Sequence, residues 1–245
     1  MIEVRELRVS YGGRVVADVP ELDVGAGECV AIVGESGSGK STTLLALLGL
    51  LPDAEVSGRV TVCGVDVLTA PPRRLRELRG ARAALVIQSP QAALAPSTRL
   101  GVLMRRALRL HGRETTDAAM AEAMRAVLLD PELLRRYPHE ISGGQAQRFA
   151  IALAIALGAE VVLADEPTSA LDVTVQAEVV AVLRGLLTER GLALLLVSHD
   201  LALVSTIADR VLVMKDGAVV ESGPAATVLA APAHPYTREL LEALP

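Results

Sequence analysis

The chain has 245 residues, a formal net charge of −5 and a hydrophobic fraction of 51%, whereas aromatic residues make up only 2% of it. The excess of acidic side chains argues against nucleic acid as a partner. The two cysteines, Cys29 and Cys63, lie too far apart in sequence to indicate a zinc motif or a disulfide framework.

The apolar mass of the chain does not predict a membrane span. Its longest apolar stretch, residues 149–164, is interrupted by Glu160 and is shorter than the roughly 20 apolar residues that a spanning helix needs. The first ten residues carry Glu3, Arg5, Glu6 and Arg8, where a signal peptide would need an apolar core. We therefore expect the chain to remain in the cytoplasm.

Apolar runs and turn residues predict a chain that alternates strands with helices. Predicted strands occupy, in chain order, residues 2–10, 14–19, 28–33, 59–63, 84–88, 161–165, 192–198 and 210–214. Residues 42–51 predict a helix that stops before Pro52. The pair Asp216-Gly217, between two apolar runs, predicts a tight hairpin, and residues 238–244 predict a short amphipathic helix.

Three of these runs, residues 30–33, 161–164 and 192–197, are apolar at consecutive positions. Strands have this pattern when helices cover both faces of a parallel sheet. Residues 89–158 are instead rich in Ala, Leu and Arg and predict helices only. The sequence therefore predicts an α/β fold with a core lobe at 1–88 and 159–225, a helical lobe at 89–158 and a tail at 226–245.

A phosphate-binding motif follows the third predicted strand. Residues 34–41 fit the pattern G-x-x-x-x-G-K-[ST], in which glycines let backbone N–H groups surround an anion at a helix N-terminus. Lys40 is expected to reach the β- and γ-phosphates, and the Ser41 hydroxyl to bind Mg²⁺. The predicted ATP-binding residues here are Gly34, Glu35, Ser36, Gly37, Ser38, Gly39, Lys40, Ser41 and Thr42.

Two adjacent carboxylates complete the chemistry that a phosphate loop requires. Asp165 and Glu166 follow the buried strand at 161–165, at the edge of the sheet where α/β proteins bind ligands. We expect Asp165 to hold Mg²⁺ and Glu166 to act as the general base on the attacking water.

Beyond the phosphate loop, Ile141-Ser142-Gly143-Gly144-Gln145 resembles the signature motif of ATP-binding-cassette (ABC) ATPases, with Ile in place of the usual Leu. The resemblance covers nearly the whole chain. It implies a P-loop NTPase fold with a RecA-like parallel-sheet core, an N-terminal antiparallel β-subdomain and a helical subdomain. It also implies that Ser142, Gly143, Gly144 and Gln145 contact the γ-phosphate bound by a second subunit, so that the active site forms only in a dimer.

The same resemblance implies roles for four further positions. Tyr11 matches the aromatic residue that stacks on adenine, and Gln88 matches the glutamine that touches Mg²⁺ and the attacking water. Asp172, in Ser169-Ala170-Leu171-Asp172, matches a loop that crosses the dimer, and His199 matches the histidine that contacts the γ-phosphate.

Other P-loop classes fit the sequence less well. A GTPase would need an Asn/Thr-Lys-x-Asp guanine reader, and the chain contains no Asn. A small-molecule kinase would lack the Ser-Gly-Gly-Gln segment, a DNA-repair member would carry a long coiled-coil insertion, and a translation-type member would fuse two cassettes.

Two segments resemble the peptide/nickel branch of ABC importers: residues 165–176 and His234-Pro235-Tyr236-Thr237-Arg238. The resemblance implies ATP-driven uptake of peptides, nickel or a metal chelate. The short stretch after Tyr236 favours the nickel or metallophore subunits of this branch. The implied partners are a second ATP-binding subunit (a paralogue or a second copy), two permeases contacted through residues 88–96, and an extracytoplasmic binding protein. The implied location is the cytoplasmic face of the inner membrane. A cassette of phosphonate breakdown shares the tail motif and is the alternative.

Overall fold

The computed structural model describes residues 1–168 and 171–242. Within these residues, ten strands form one mixed sheet in the order β5-β4-β1-β2-β10-β9-β3-β8-β7-β6. The strands are β1 (Ile2–Tyr11), β2 (Arg14–Val24), β3 (Cys29–Val33), β4 (Glu55–Val62), β5 (Val65–Asp66), β6 (Ala83–Val86), β7 (Val161–Asp165), β8 (Ala193–Val197), β9 (Arg210–Lys215) and β10 (Ala218–Pro224).

The sheet has a parallel and an antiparallel part. Strands β6, β7, β8, β3 and β9 run parallel to one another, as the consecutive apolar runs predicted. Strands β1, β2, β4 and β5 pair antiparallel and form the expected N-terminal β-subdomain. Strand β10 joins the two parts, since it pairs antiparallel with β9 and meets β2 at Ala218 and Asp18. The predicted α/β fold is confirmed.

The helices connect the strands and cover both faces of the parallel part. They are α1 (Lys40–Ala46), α2 (Pro72–Leu78), α3 (Pro90–Ala93), α4 (Leu100–Leu110), α5 (Asp117–Ala126), α6 (Gly143–Leu157), α7 (Val173–Arg190), α8 (Leu201–Ile207), α9 (Ala225–Ala230) and α10 (Pro235–Glu242), with 3₁₀ turns at Pro131–Arg135 and Pro138–Glu140. Between β6 and β7 the chain is helical, as expected for residues 89–158. Across the described ranges, no helix has the length and hydropathy of a membrane span.

Alternate residues of β3 enter two different hydrophobic cores. Ala31 and Val33 belong to the core shared with α4, α5 and α6, whereas Val30 and Ile32 belong to the core shared with β1, β2 and α1. All four side chains are fully buried. Because both faces of the strand are covered, every position is apolar. This packing fixes the end of β3, from which the phosphate loop begins.

Several predicted boundaries were wrong. The helix expected at residues 42–51 runs only from Lys40 to Ala46, because the chain turns at Gly49 and Leu50 N–H bonds back to Leu45 O at 3.0 Å. The tail helix begins at Pro235 rather than residue 238, since proline suits the first helical turn. The strand expected to reach residue 88 ends at Val86, which places Gln88 in the following loop.

Candidate active site

The phosphate loop connects the end of β3 with the first turn of α1, as predicted. Two of its glycines, Gly34 and Gly39, are required by close backbone contacts. At Gly39, φ is 98°, and a Cβ atom would lie 2.5 Å from Val16 O; at Gly34, φ is 146°, and a Cβ atom would lie 2.1 Å from Met214 O. Any other residue would both strain the backbone and collide with β2 or β9. The loop is therefore seated against two neighbouring strands.

Lys40 lies at the centre of the loop and is only 8% exposed. Its Nζ donates to Gly34 O at 2.7 Å and to Glu35 O at 2.6 Å. Burial lowers the pKa of Lys40, although the nearby carboxylates of Glu166, Asp165 and Glu35 oppose that shift. An ammonium surrounded by loop carbonyls and carboxylates is a compact positive charge at the position where phosphate oxygens are expected.

Asp165, the last residue of β7, lies beside the start of α1. The Ser41 hydroxyl hydrogen-bonds its carboxylate, which favours the ionised form, but burial dominates and raises the pKa of Asp165. Asp165, Ser41 and Gln88 line one pocket and can supply a carboxylate, a hydroxyl and an amide oxygen. Such hard oxygen ligands match what Mg²⁺ takes beside phosphates, so this donor set fits that metal.

Glu166 connects two other predicted catalytic residues. Gln88 Nε2 donates to Glu166 Oε2 at 2.7 Å, and His199 Nδ1 lies 2.9 Å from Glu166 Oε1. Since an ionised carboxylate only accepts hydrogen bonds, Nδ1 carries the proton in this arrangement. The Glu166 backbone has φ of 47°, a left-handed conformation, and its N–H donates to Val197 O at 2.9 Å. This turn directs the chain from β7 towards the end of β8, after which His199 follows.

These side chains share one pocket of about 630 Å³. The predicted site residues that line it are Gly34, Glu35, Ser36, Gly37, Gly39, Lys40, Ser41, Thr42, Gln88, Asp165, Glu166 and His199. Ser38 is buried beside Lys40, with Lys40 Nζ 3.4 Å from its hydroxyl. Residues from strands β3, β7 and β8 therefore converge at the carboxyl ends of the parallel strands.

The signature motif lies elsewhere. In the described part of the chain, the lining of the pocket does not include Ser142, Gly143, Gly144 or Gln145. Ser142 instead caps α6, because Gln145 N–H donates to its hydroxyl at 3.2 Å and Ser142 N–H donates to Gln145 Oε1 at 2.9 Å. This reciprocal capping fixes the motif at the N-terminus of a long helix.

Two glutamines outside the predicted set connect the signature segment with the loop that carries Gln88. Gln91 Nε2 donates to Ile141 O at 3.0 Å, directly before Ser142. Gln147 Nε2 donates to Ile87 O at 3.2 Å, directly before Gln88. Sequence reasoning missed both, because glutamines in helices give no signal of a long-range backbone contact.

The other predicted positions lie outside the pocket lining in the described part of the chain. Tyr11 ends β1 and is 38% exposed. Asp172 caps α7, since Val175 N–H donates to its Oδ1 at 3.0 Å. Ser169 and Ala170, from the loop that precedes Asp172, lie outside the described residues.

A contact from the tail was not predicted. Tyr236, on α10, is 3% exposed, and its hydroxyl oxygen accepts a hydrogen bond from the Glu35 backbone N–H at 3.0 Å. Leu240, one turn further along α10, lines the pocket. No local pattern connects residues 201 positions apart, so only the folded chain reveals this contact.

A phosphate loop on a parallel sheet, with paired carboxylates at the end of a neighbouring strand, defines the chain as a P-loop NTPase. The sequence pattern of the ABC transporter family matches residues 18–169. The chain therefore belongs to the ABC transporter family, and it is one of the ATP-hydrolysing cassettes of that family.

Known relatives resemble the chain over its whole length. It is 41% identical over 260 residues to the probable D,D-dipeptide transport ATP-binding protein DdpD of Escherichia coli (strain K12), covering 100% of this chain and 78% of the relative. It is 42% identical over 257 residues to the peptidoglycan transport ATP-binding protein YejF of Agrobacterium fabrum (strain C58 / ATCC 33970), covering 100% of this chain. The chain spans 47% of the length of YejF.

The fold is shared with a solved cassette. The dimeric, post-hydrolysis structure of the ATP-binding cassette MJ0796, bound to ADP and Pi, matches with a TM-score of 0.81 and 26% identity. The match covers 92% of this chain and 99% of that one.

Proposed function

We propose that the chain is the ATP-binding and ATP-hydrolysing subunit of a bacterial importer that takes up peptides. The observation that carries the proposal is the single pocket in which Lys40, Asp165, Glu166, Gln88 and His199 meet. Five groups from four separate parts of the sequence converge there, and each has the chemistry that MgATP hydrolysis requires.

We assign phosphate binding to Lys40 and to the backbone N–H groups of residues 34–42. Lys40 Nζ exchanges its contacts with Gly34 O and Glu35 O for oxygens of the β- and γ-phosphates. Ser41, Gln88 and Asp165 would hold Mg²⁺, which would neutralise phosphate charge when bound. Burial raises the pKa of Asp165, and a bound cation would favour its ionised form.

We assign proton removal from the attacking water to Glu166. Gln88 and His199 each hold one carboxylate oxygen, at 2.7 and 2.9 Å, so the carboxylate orientation is fixed before a nucleotide binds. His199, with 65% of its side chain exposed, can turn its other ring nitrogen towards the γ-phosphate. Orientation of the base is a large part of its catalytic value.

The separation of the signature motif from the pocket supports a working dimer. The N-terminus of α6 is an anion-binding site, and in the part of the chain that the structure describes its residues Ser142, Gly143, Gly144 and Gln145 do not line the nucleotide pocket. We propose that this motif contacts the γ-phosphate in the second cassette, a paralogue or another copy, that Asp172 crosses the dimer, and that Tyr11 stacks on adenine. MJ0796, a similar cassette, is dimeric.

We further propose that the cassette lies on the cytoplasmic face of the inner membrane, against two permeases served by an extracytoplasmic binding protein. Residues 88–96 pass its closing motion to them, and residues 89–158 act as a helical lobe beside a core of 1–88 and 159–225. Peptides are the preferred cargo, because DdpD and YejF are named for D,D-dipeptide and peptidoglycan transport. These names favour import over phosphonate breakdown, and peptides over nickel.

Lys40→Ala tests the nucleotide site. The variant should lose binding of a labelled ATP analogue, because the loop loses its buried positive charge. A matched control is Arg73→Ala, which removes an exposed positive charge on α2 that does not line the pocket. Retained binding by Lys40→Ala would contradict the assignment.

Uptake by whole cells tests the cargo. Cells that carry Lys40→Ala in place of the natural chain should lose accumulation of a labelled dipeptide, while nickel uptake and growth on a phosphonate stay at wild-type levels. If dipeptide uptake stays intact, the peptide proposal is refuted. Loss of nickel uptake would then identify a nickel importer, and loss of growth on the phosphonate would identify a cassette of phosphonate breakdown.

A further inference from the structure

Helix α10, the last helix in the described residues, packs against the start of the phosphate loop. Tyr236 is 3% exposed, and its hydroxyl accepts the Glu35 N–H at 3.0 Å. Glu35 directly follows Gly34, the first residue of the loop. Leu240, four residues after Tyr236, forms part of the pocket wall. The tail therefore contributes to the structure of the nucleotide site.

The Tyr236 side chain is itself held in place by the β9–β10 hairpin. Lys215 Nζ, at the end of β9, lies 4.4 Å from the centroid of the Tyr236 ring, which is a cation–π contact. The Glu221 carboxylate, on β10, accepts the backbone N–H groups of Ala233 and His234 at 2.8 and 3.0 Å. The phenol is therefore held by contacts from the sheet as well as by its bond to the loop.

The residue that Tyr236 contacts is held from two sides. Lys40 Nζ donates to the Glu35 carbonyl at 2.6 Å, while the Glu35 N–H donates to Tyr236. If Lys40 turns to phosphate oxygens when ATP binds, as assigned above, the lysine contact with this carbonyl ends. The bond to Tyr236 can persist at that point, because it uses the Glu35 N–H and not the carbonyl that Lys40 contacts.

We propose that Tyr236 is a positioning residue for ATP binding: its hydroxyl holds the first turn of the phosphate loop in the binding conformation while Lys40 exchanges its partners. A loop that is ordered in advance loses less conformational entropy when the ligand binds, so this contact increases affinity for ATP. The inference rests on the proposed function of the pocket as an ATP site.

Tyr236→Phe tests the role of the hydroxyl, because phenylalanine keeps the ring and its contact with Lys215. The variant leaves the Glu35 N–H without its acceptor. Loss of one such hydrogen bond corresponds to a dissociation constant for ATP that is about two- to twelvefold higher. Hydrogen exchange should become faster in peptides that contain Glu35 and remain unchanged elsewhere. Tyr137→Phe, in the helical segment before α6, is the matched control and should leave both measurements unchanged.

Two results would overturn the inference. One is an unchanged dissociation constant for Tyr236→Phe; the other is faster exchange throughout the chain, which would mean that the hydroxyl stabilises the whole fold. Lys40→Ala, measured in parallel, separates this inference from the proposed function. If Lys40→Ala loses ATP while Tyr236→Phe binds as the natural chain does, only the role of Tyr236 fails; if Lys40→Ala still binds ATP, the pocket assignment fails.

Discussion

The substitution Glu166→Gln removes the proposed base and leaves its surroundings nearly unchanged. Glutamine has the shape of glutamate, and its amide oxygen can still accept from Gln88 Nε2, which lies 2.7 Å away in the natural chain. Its NH₂ group can donate to His199 Nδ1, now 2.9 Å from the carboxylate, if the ring proton moves to the other nitrogen. These two contacts therefore survive, while the negative charge and the ability to take a proton are lost.

The expected loss of activity follows from that single change. A positioned general base contributes about 10²- to 10⁴-fold to the rate. At about 1.36 kcal/mol for each tenfold change, this corresponds to roughly 3–5 kcal/mol of activation free energy. ATP binding should persist, because Lys40 and the loop are unchanged and a negative charge near the phosphates is gone.

The assay is steady-state phosphate release by the assembled transporter at saturating MgATP, together with binding of labelled ATP. Glu122→Gln, the same substitution at an exposed position on α5, serves as the control and should retain full activity. A loss of less than tenfold in Glu166→Gln would refute the assignment of Glu166 as the base. A simultaneous loss of ATP binding would refute the claim that its contacts are preserved.

Four further substitutions distinguish effects on stability from effects on ATP hydrolysis. Burial raises the pKa of Asp165, so its charge destabilises the fold above that pKa. Asp165→Asn should therefore raise the melting temperature in EDTA but reduce hydrolysis. The difference in melting temperature between the variant and the natural chain should shrink as the pH falls through the raised pKa towards the ordinary pKa of aspartate. An equal or lower melting temperature at pH 7 would contradict this. Gly39→Ala meets Val16 O at 2.5 Å, whereas Gly37→Ala, with φ of 84°, meets nothing within 4 Å. Urea unfolding should therefore show about 1–2 kcal/mol lost from strain in Gly37→Ala and clearly more in Gly39→Ala. Ser142→Ala should cost about 1 kcal/mol through the lost helix cap and should stop hydrolysis while ATP binding by the isolated chain is unchanged; weaker binding would place Ser142 in the pocket of its own chain.

The parallel sheet could be predicted because its strands are defined by burial alone. Residues 30–33 are apolar at every position, and in the structure these side chains alternate between two cores. The hairpin at Asp216-Gly217 was predictable for a local reason: both residues have positive φ, 49° and 87°, which this pair tolerates. Patterns of this kind need only neighbouring residues, so one sequence is enough to find them.

The ends of helices and the contacts between distant segments could not be predicted. The helix expected at residues 42–51 ends at Ala46, because the turn at Gly49 stops it before Pro52 does. No pattern in the sequence indicates that Tyr236 bonds to Glu35, since a tyrosine in a tail helix is compatible with many environments. The pocket residues themselves were predicted from short motifs, whereas the hydrogen bonds from Gln91 and Gln147 depend on how the helical segment packs on the sheet.

These contacts connect the signature motif of the cassette with the carboxylate that we propose as its base. The signature motif is fixed to α6 by its own capping, and Gln147 on that helix bonds to Ile87, next to the glutamine that holds Glu166. If a second cassette contacts the signature motif, as proposed above, a displacement of the motif would be carried by α6, because the motif is capped onto that helix. The displacement would reach Gln88 through the carbonyl of Ile87 and alter the hydrogen bond that orients Glu166. The proposed base is therefore connected, through two hydrogen bonds and one helix, to the motif that we propose contacts the nucleotide of a second cassette.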